Sequence, residues 1–340
     1  MDDVELRQHV RPGCGRLAPS PTGGLHVGHA RTFLVAWLAS RREDGPVALR
    51  IEDLDATRAR PEATAAALVD LRWLGLDWDE GPDVGGPRGP YVQSERRAVY
   101  DEALARLKAA ERVYPCTCTR ADIERAASAP HAEDEGPTYP GTCAHRSAAD
   151  APALGDRPFA WRFRVPPGEV GWDDLILGPR SIDPARLGGD FLVGRNGQGP
   201  SYQLAVVADD ALMGVDRVIR GDDLVPSTPR QLLLYRALGW EPPRFGHVPL
   251  VVGPDGRRLA KRDGSIKLAT LRERGLDPRR LVGVLARSCG LSDEAAPSAP
   301  GDWVDAFDLA RLPREPWTAS ADDWLGSGPF VEPAVSGGNS

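Results

Sequence analysis

A chain of 340 residues with a net charge of −7 is long for one domain, which points to a large core carrying an inserted or appended piece. No stretch approaches ~20 uninterrupted apolar residues, so a membrane-spanning helix is excluded, and the acidic opening Met1-Asp-Asp-Val-Glu-Leu lacks the apolar run of a secretory signal. The acidic balance argues against nonspecific wrapping of nucleic acid, where phosphate contacts dominate affinity, and leaves room for a small local RNA footprint.

The first segment of note is Ala18-Pro-Ser-Pro-Thr-Gly-Gly-Leu-His-Val-Gly-His29. Its Pro/Gly-rich turn ends on two histidines three apart, His26 and His29, where a helical pattern over 29–41 begins. A helix start attracts phosphate. Val47-Ala-Leu-Arg-Ile51 then reads as a strand, and the order strand, turn, helix, strand is how a parallel nucleotide-binding sheet begins. A second helix is predicted over 61–74, apolar at Ala65, Leu68, Val69 and Leu71 and ending before Gly75. Residues 81–90 read as a loop, and helical periodicity returns over 94–110.

From 113 to 191 the chain is turn-rich, as expected of a subdomain inserted into the sheet. Three of the five cysteines, Cys116, Cys118 and Cys143, fall here, while Cys14 and Cys289 stand alone. An odd count with a cluster, in the reducing compartment of a cytoplasmic protein, favours metal or plain thiols over disulfides. Between them, 127–138 is polar, acidic and proline-containing, and is expected to be a mobile excursion. The sheet pattern resumes at Leu204-Ala-Val-Val207 and Arg217-Val-Ile219, followed by a helix over 228–238 with Ser227 as its cap. After the apolar run 248–252 comes Arg258-Leu-Ala-Lys-Arg262, a basic loop in which the Lys261 ammonium can meet a pyrophosphate leaving group. A last helix over 278–289 opens at Pro278 with Asp277 as its cap and stops before Gly290. From 295 onward Pro, Gly and Ser are frequent, and the final residues are expected to be disordered. The expected organisation is a first core half over 1–112, an inserted subdomain over 113–191, a second core half over 192–265 and a short C-terminal region over 266–340.

At His26-Val-Gly-His29 and 258–262 the chain resembles the class I aminoacyl-tRNA synthetases, the first matching the HIGH signature and the second a degenerate KMSKS. Arg258 and Ala260 replace the usual Lys and Ser of the second signature, while Lys261 keeps its essential cation. Arg16-Leu-Ala-Pro-Ser-Pro-Thr-Gly, Arg50-Ile-Glu-Asp-Leu-Asp55, Ser201-Tyr-Gln-Leu-Ala-Val-Val-Ala-Asp-Asp210 and Val218-Ile-Arg-Gly-Asp-Asp-Leu224 are similar, in the same order, to glutamyl-tRNA synthetase cores. The resemblance covers 15–290. Too few residues follow Gly264 for the long anticodon-binding region of a full glutamyl-tRNA synthetase, which favours the truncated paralogous family, the glutamyl-queuosine tRNA(Asp) synthetases. That family also shares the zinc pattern Cys116-Thr-Cys-Thr-Arg120 with Tyr139-Pro-Gly-Thr-Cys143.

The resemblance implies an α/β fold: a Rossmann-type parallel-sheet catalytic core, an inserted zinc-binding acceptor-stem-like subdomain, a short helical C-terminal region and no anticodon-binding domain. It implies ATP-dependent activation of L-glutamate without tRNA, with Mg2+ accompanying ATP, and transfer to queuosine at the wobble position of tRNA(Asp). Two alternatives remain: a truncated synthetase charging tRNA(Glu), and a catalytically silent paralogue binding RNA or a partner. His26, His29 and Lys261 are the implied catalytic and ATP-binding residues. Arg16, Leu17, Ala18, Pro19, Ser20 and Glu52 are implied to hold the backbone end of glutamate, and Tyr202 and Arg220 its side-chain carboxylate. A planar guanidinium suits a carboxylate and an anion suits the ammonium, although which arginine takes which carboxylate stays open. For one structural zinc, Cys116, Cys118 and Cys143 supply thiolates and Tyr139 matches the fourth ligand, with His145 and His131 as rivals. A phenol is an uncommon ligand and Cys-x-Cys is tight for zinc, so the residues alone leave three free thiols equally placed. The simplest assembly is a monomer in the cytoplasm, without membrane contact.

Overall fold

The computed structural model describes residues 8–55, 57–126, 138–257, 267–320 and 323. Strand β1 (Gly15–Leu17) runs through the Pro/Gly turn into helix α1 (Val27–Arg41), and strand β2 (Val47–Leu49) returns in parallel with Arg16 opposite Ala48. Parallel strands need a crossover of this length, and α1 supplies it by burying Leu34, Val35, Trp37 and Leu38 beneath them. The strand ends two residues earlier than expected, because Ile51 bridges to Val92 instead.

Helix α2 (Pro61–Trp73) takes proline in its first turn, where no amide hydrogen is needed. Its buried stripe is Ala67, Asp70 and Leu71, whereas Ala65 and Val69, apolar positions of the predicted helix, are exposed. A buried carboxylate in the stripe hides it from hydrophobic periodicity. Helix α3 (Arg97–Ala109) follows a short 3-10 turn at Gln93–Glu95.

Strand β3 (Val113–Cys116) is followed by helix α4 (Arg120–Ala126), then β4 (Ala160–Phe163), the hairpin β5 (Val170–Asp174) and β6 (Gly178–Ile182), β7 (Phe191–Arg195) and β8 (Gly199–Pro200). Four of these strands form one antiparallel sheet in the order β3-β4-β7-β8. The β5–β6 hairpin leaves it and leans on the core, where the Leu175 amide donates to Phe245 O at 2.8 Å.

The expected strand at 204–207 is instead the middle of helix α5 (Tyr202–Leu212). A four-residue apolar run does not distinguish a buried strand from a helix buried on all sides, and every residue from Leu204 to Ala211 is buried here. Strand β9 (Arg217–Gly221), helix α6 (Ser227–Leu238) and strand β10 (Arg244–Val248) complete a second parallel pair. Ser227 lies inside α6 rather than capping it, with its hydroxyl accepting from Gln203 Nε2 at 3.0 Å. The two parallel pairs meet where the Asp216 and Arg217 amides donate to Cys14 O at 2.9 and 3.1 Å.

Strand β11 (Val251–Val252) precedes α7 (Leu268–Glu273) and α8 (Pro278–Ser288), the latter capped by Asp277 as predicted, its carboxylate accepting from the Arg279 amide at 2.9 Å. Strand β12 (Trp317–Thr318) then pairs with β11 in parallel. One apolar cluster gathers α1, β1, β2, α2 and α8, and a second gathers α3, α5, α6 and the antiparallel sheet. The excursion within 127–138, apart from Thr138, and the predicted disorder of the final residues lie outside the described residues, as does the 258–262 loop. No helix among the described residues is long and apolar enough to cross a membrane.

Candidate active site

Helix α1 begins at the two histidines. His26 occupies its cap position, the His26 amide donates to His29 Nδ1 at 3.4 Å, and the two rings stack with centroids 3.6 Å apart. Both rings line a cavity of about 180 Å3 together with Arg16, Glu52, Tyr202 and Arg220. Lys261 lies outside the described residues, but the chain from Lys267 onward is anchored beside this helix start. Lys267 bridges to His26, and the Leu268 amide donates to Leu25 O at 2.8 Å.

The cavity floor comes from both parallel pairs. Arg16, on β1, donates through Nη1 to Ile219 O of β9 at 2.8 Å, and its Nε lies 3.6 Å from Asp210. Of the segment following it, Ala18 lines this cavity and Ser20 a neighbouring one. Leu17 packs into the core, and Pro19 is buried with its carbonyl accepting from the Glu52 amide at 3.1 Å. Glu52 is paired with Arg50 at 3.0 Å, and its pKa is raised by burial against the pull of Arg50 and Arg16. The fully buried Arg50 also donates to Asp210 at 2.7 Å and lies 3.6 Å from Asp209, which in turn accepts from Arg96 and Gln93. This network, rather than the pocket, claims both aspartates.

Arg220 is 4% exposed, and all its hydrogen bonds go to neutral groups. Nε donates to His247 Nε2 at 3.1 Å, Nη1 to Gln231 at 2.8 Å and Nη2 to Thr228 at 2.9 Å. Its positive charge has no carboxylate at ion-pairing distance among the described residues, and burial lowers its pKa. Neither Asp222 nor Asp223 partners it. A desolvated, unneutralised guanidinium facing a cavity calls for an anionic ligand. Tyr202, first residue of α5, remains partly exposed and borders both this cavity and a second of about 790 Å3.

The three clustered cysteines converge. Their sulfurs lie within 4.8 Å of one another, with Cys118 and Cys143 at 3.7 Å. The Tyr139 hydroxyl sits 3.5 Å from Cys116 Sγ and accepts from the Cys143 amide at 2.8 Å. Burial opposes ionisation of Cys143, yet hydrogen bonds from Thr117, Cys118 and Tyr139 bring its thiol down to about 7. Three thiols and a phenol oxygen at this spacing fit a closed tetrahedral zinc site. His145 is exposed and outside the group, and His131 lies outside the described residues.

Residues 14–299 match the model of the class I tRNA synthetases (E and Q), catalytic domain. The chain belongs to this family. It is 55% identical over 307 residues to the glutamyl-Q tRNA(Asp) synthetase of Symbiobacterium thermophilum, covering 89% of this chain and 94% of that one. To the protein of that name from Nitratidesulfovibrio vulgaris it is 48% identical over 311 residues, covering 91% and 96%. The crystal structure of glutamate-tRNA synthetase from Elizabethkingia anophelis superposes with a TM-score of 0.80 at 29% identity, over 91% of this chain and 68% of that one. The α/β core described above is therefore the class I synthetase core.

Several groups that shape the cavity beside Arg220 carry no signal in the sequence. Thr228, Gln231 and His247 hold Arg220, and Asp174 holds His247. They sit on α6, β10 and the β5–β6 hairpin, and no local spacing links them to Arg220.

Proposed function

We infer that the protein activates L-glutamate with ATP and transfers the glutamyl group to queuosine of tRNA(Asp). The observation that carries this reading is the 55% identity across 94% of a relative named for that activity. The cavity supports it chemically, because one small space is lined by an anion, Glu52, suited to an α-ammonium, and by an unneutralised guanidinium, Arg220, suited to a carboxylate.

Activation is an in-line displacement: a carboxylate oxygen of glutamate bonds to the α-phosphorus of ATP, the bond to the bridging oxygen breaks, and pyrophosphate leaves. Class I membership implies ATP with Mg2+, which neutralises phosphate charge. The protein's part is alignment and charge stabilisation. His26 and His29 donate to the phosphates from the helix start, and Lys261 receives the departing pyrophosphate. In the second step a hydroxyl of the queuosine base attacks the acyl carbon, AMP leaves with the electron pair of the broken C–O bond, and the hydroxyl proton passes to the departing phosphate. Cys116, Cys118 and Cys143, with Tyr139 as fourth ligand, would hold a structural zinc that leaves no open position for water. We place the enzyme in the cytoplasm, as a monomer.

The test is transfer of labelled glutamate, with ATP, to queuosine-containing tRNA(Asp), to the same tRNA without queuosine, and to tRNA(Glu). Labelling of the first alone is expected. Labelling of tRNA(Glu) would make the chain a conventional charging enzyme, and labelling of none would leave a silent paralogue.

A further inference from the structure

His247 is fully buried and takes no part in the chemistry above, yet it joins two charged groups from different parts of the fold. Strands β9 and β10 place it directly opposite Arg220 in their parallel register. One ring nitrogen, Nδ1, contacts Asp174 Oδ2 at the end of β5. The other, Nε2, lies 3.1 Å from both Arg220 Nε and Thr228 Oγ1.

Proton placement follows from what each group can do. The other oxygen of Asp174 accepts from three backbone amides, those of Ile176 at 3.1 Å, Leu177 at 2.9 Å and His247 at 3.1 Å. Burial alone would raise its pKa, but His247 and these amides bring it down to about 2, so it is a carboxylate and can only accept. Nδ1 of His247 therefore carries the hydrogen. Arg220 Nε is always a donor, so Nε2 must be the acceptor, because a proton there would set two donors face to face. Burial, the largest influence on His247, likewise favours the neutral ring.

We propose that His247 is a positioning residue for amino-acid selection: Asp174 fixes its tautomer, and its Nε2 lone pair fixes the rotation of the Arg220 guanidinium. The inference rests on the reading of the cavity as a glutamate site. Of the five N–H groups of Arg220, three are taken among the described residues by His247, Gln231 and Thr228, which leaves two, one on each terminal nitrogen. That remaining pair matches the two oxygens of a side-chain carboxylate. It does not match a side-chain amide, whose NH2 would face a donor. Discrimination of glutamate from glutamine thus depends on holding the guanidinium in one plane.

The test compares His247→Gln, whose amide oxygen reaches the place of Nε2, with His247→Asn, which reaches only Asp174. The readout is pyrophosphate–ATP exchange driven by glutamate or by glutamine, alongside thermal melting. The Asn variant is expected to raise KM for glutamate by about tenfold or more and to lower the glutamate-over-glutamine preference, with KM for ATP unchanged. The Gln variant is expected to return both to near the wild-type values. An active Asn variant with unchanged glutamate KM and selectivity would overturn the inference. So would equal losses in both variants that track melting temperature, which mark a purely structural role. Wild-type protein that shows no glutamate-dependent exchange would remove the reading of the site itself, and this inference with it.

Discussion

Asp70 is a buried carboxylate on α2 whose oxygens, among the described residues, have no hydrogen-bond partner and one ionic contact, Arg272 at 3.1 Å. Burial, only partly opposed by Arg272, lifts its pKa from 3.8 to about 6. Between those values the folded protein binds more protons than the unfolded chain, so this group makes stability fall as pH rises from about 4 to about 6. Asp70→Asn is therefore expected to melt about 2 °C higher than wild type at pH 7.5, with the difference closing as pH drops below 4. A constant difference across that range in parallel melting curves would refute the assignment. Legibility at this scale was uneven. His26, His29, Glu52, Tyr202 and Arg220 were all visible as motif residues, and the structure brings them to one cavity. The residues that orient them were not, because Thr228, His247 and Asp174 are ordinary buried polar residues whose meaning lies in a partner far along the chain.

At the scale of elements, the β-α-β opening and the Asp277 cap could be read from local chemistry. Helix α5 could not. Its apolar run fits either period, and the evidence against a strand is tertiary: Asp209 and Asp210 must reach Arg96 and Arg50 beneath the sheet. The cysteine cluster likewise depends on β3 and the turn carrying Cys143, elements separated by the undescribed segment. If it holds zinc, metal binding and folding of the antiparallel sheet are coupled. Cys118→Ser is then expected to lower zinc content from about one per chain and to expose the 113–200 region to faster amide exchange. Unchanged metal content by elemental analysis would exclude Cys118 as a ligand.

For the whole molecule, the net charge of −7 constrains how RNA is held. A footprint confined to a few phosphates gives a shallow dependence on salt, and the logarithm of tRNA affinity is expected to fall with a slope of roughly −3 against the logarithm of salt concentration. A slope steeper than about −6 would reveal extensive backbone wrapping. The composition and motif order disclosed the class of molecule, but not how its halves are joined. That junction is made by contacts between residues far apart in sequence: Arg16 reaches Ile219 O across 203 positions, Arg11 reaches Met213 O across 202, and the Gly13 amide reaches Asp216 across 203. A ribosome delivers such a chain from the N-terminus, so Arg16, Glu52 and the histidine pair emerge well before β9 exists to close the cavity over them. The site is consequently all or nothing during synthesis. On the proposed reading of the cavity, a nascent fragment lacking β9 has no complete glutamate pocket, and the loop closure that brings β9 to β1 is a slow step expected of folding.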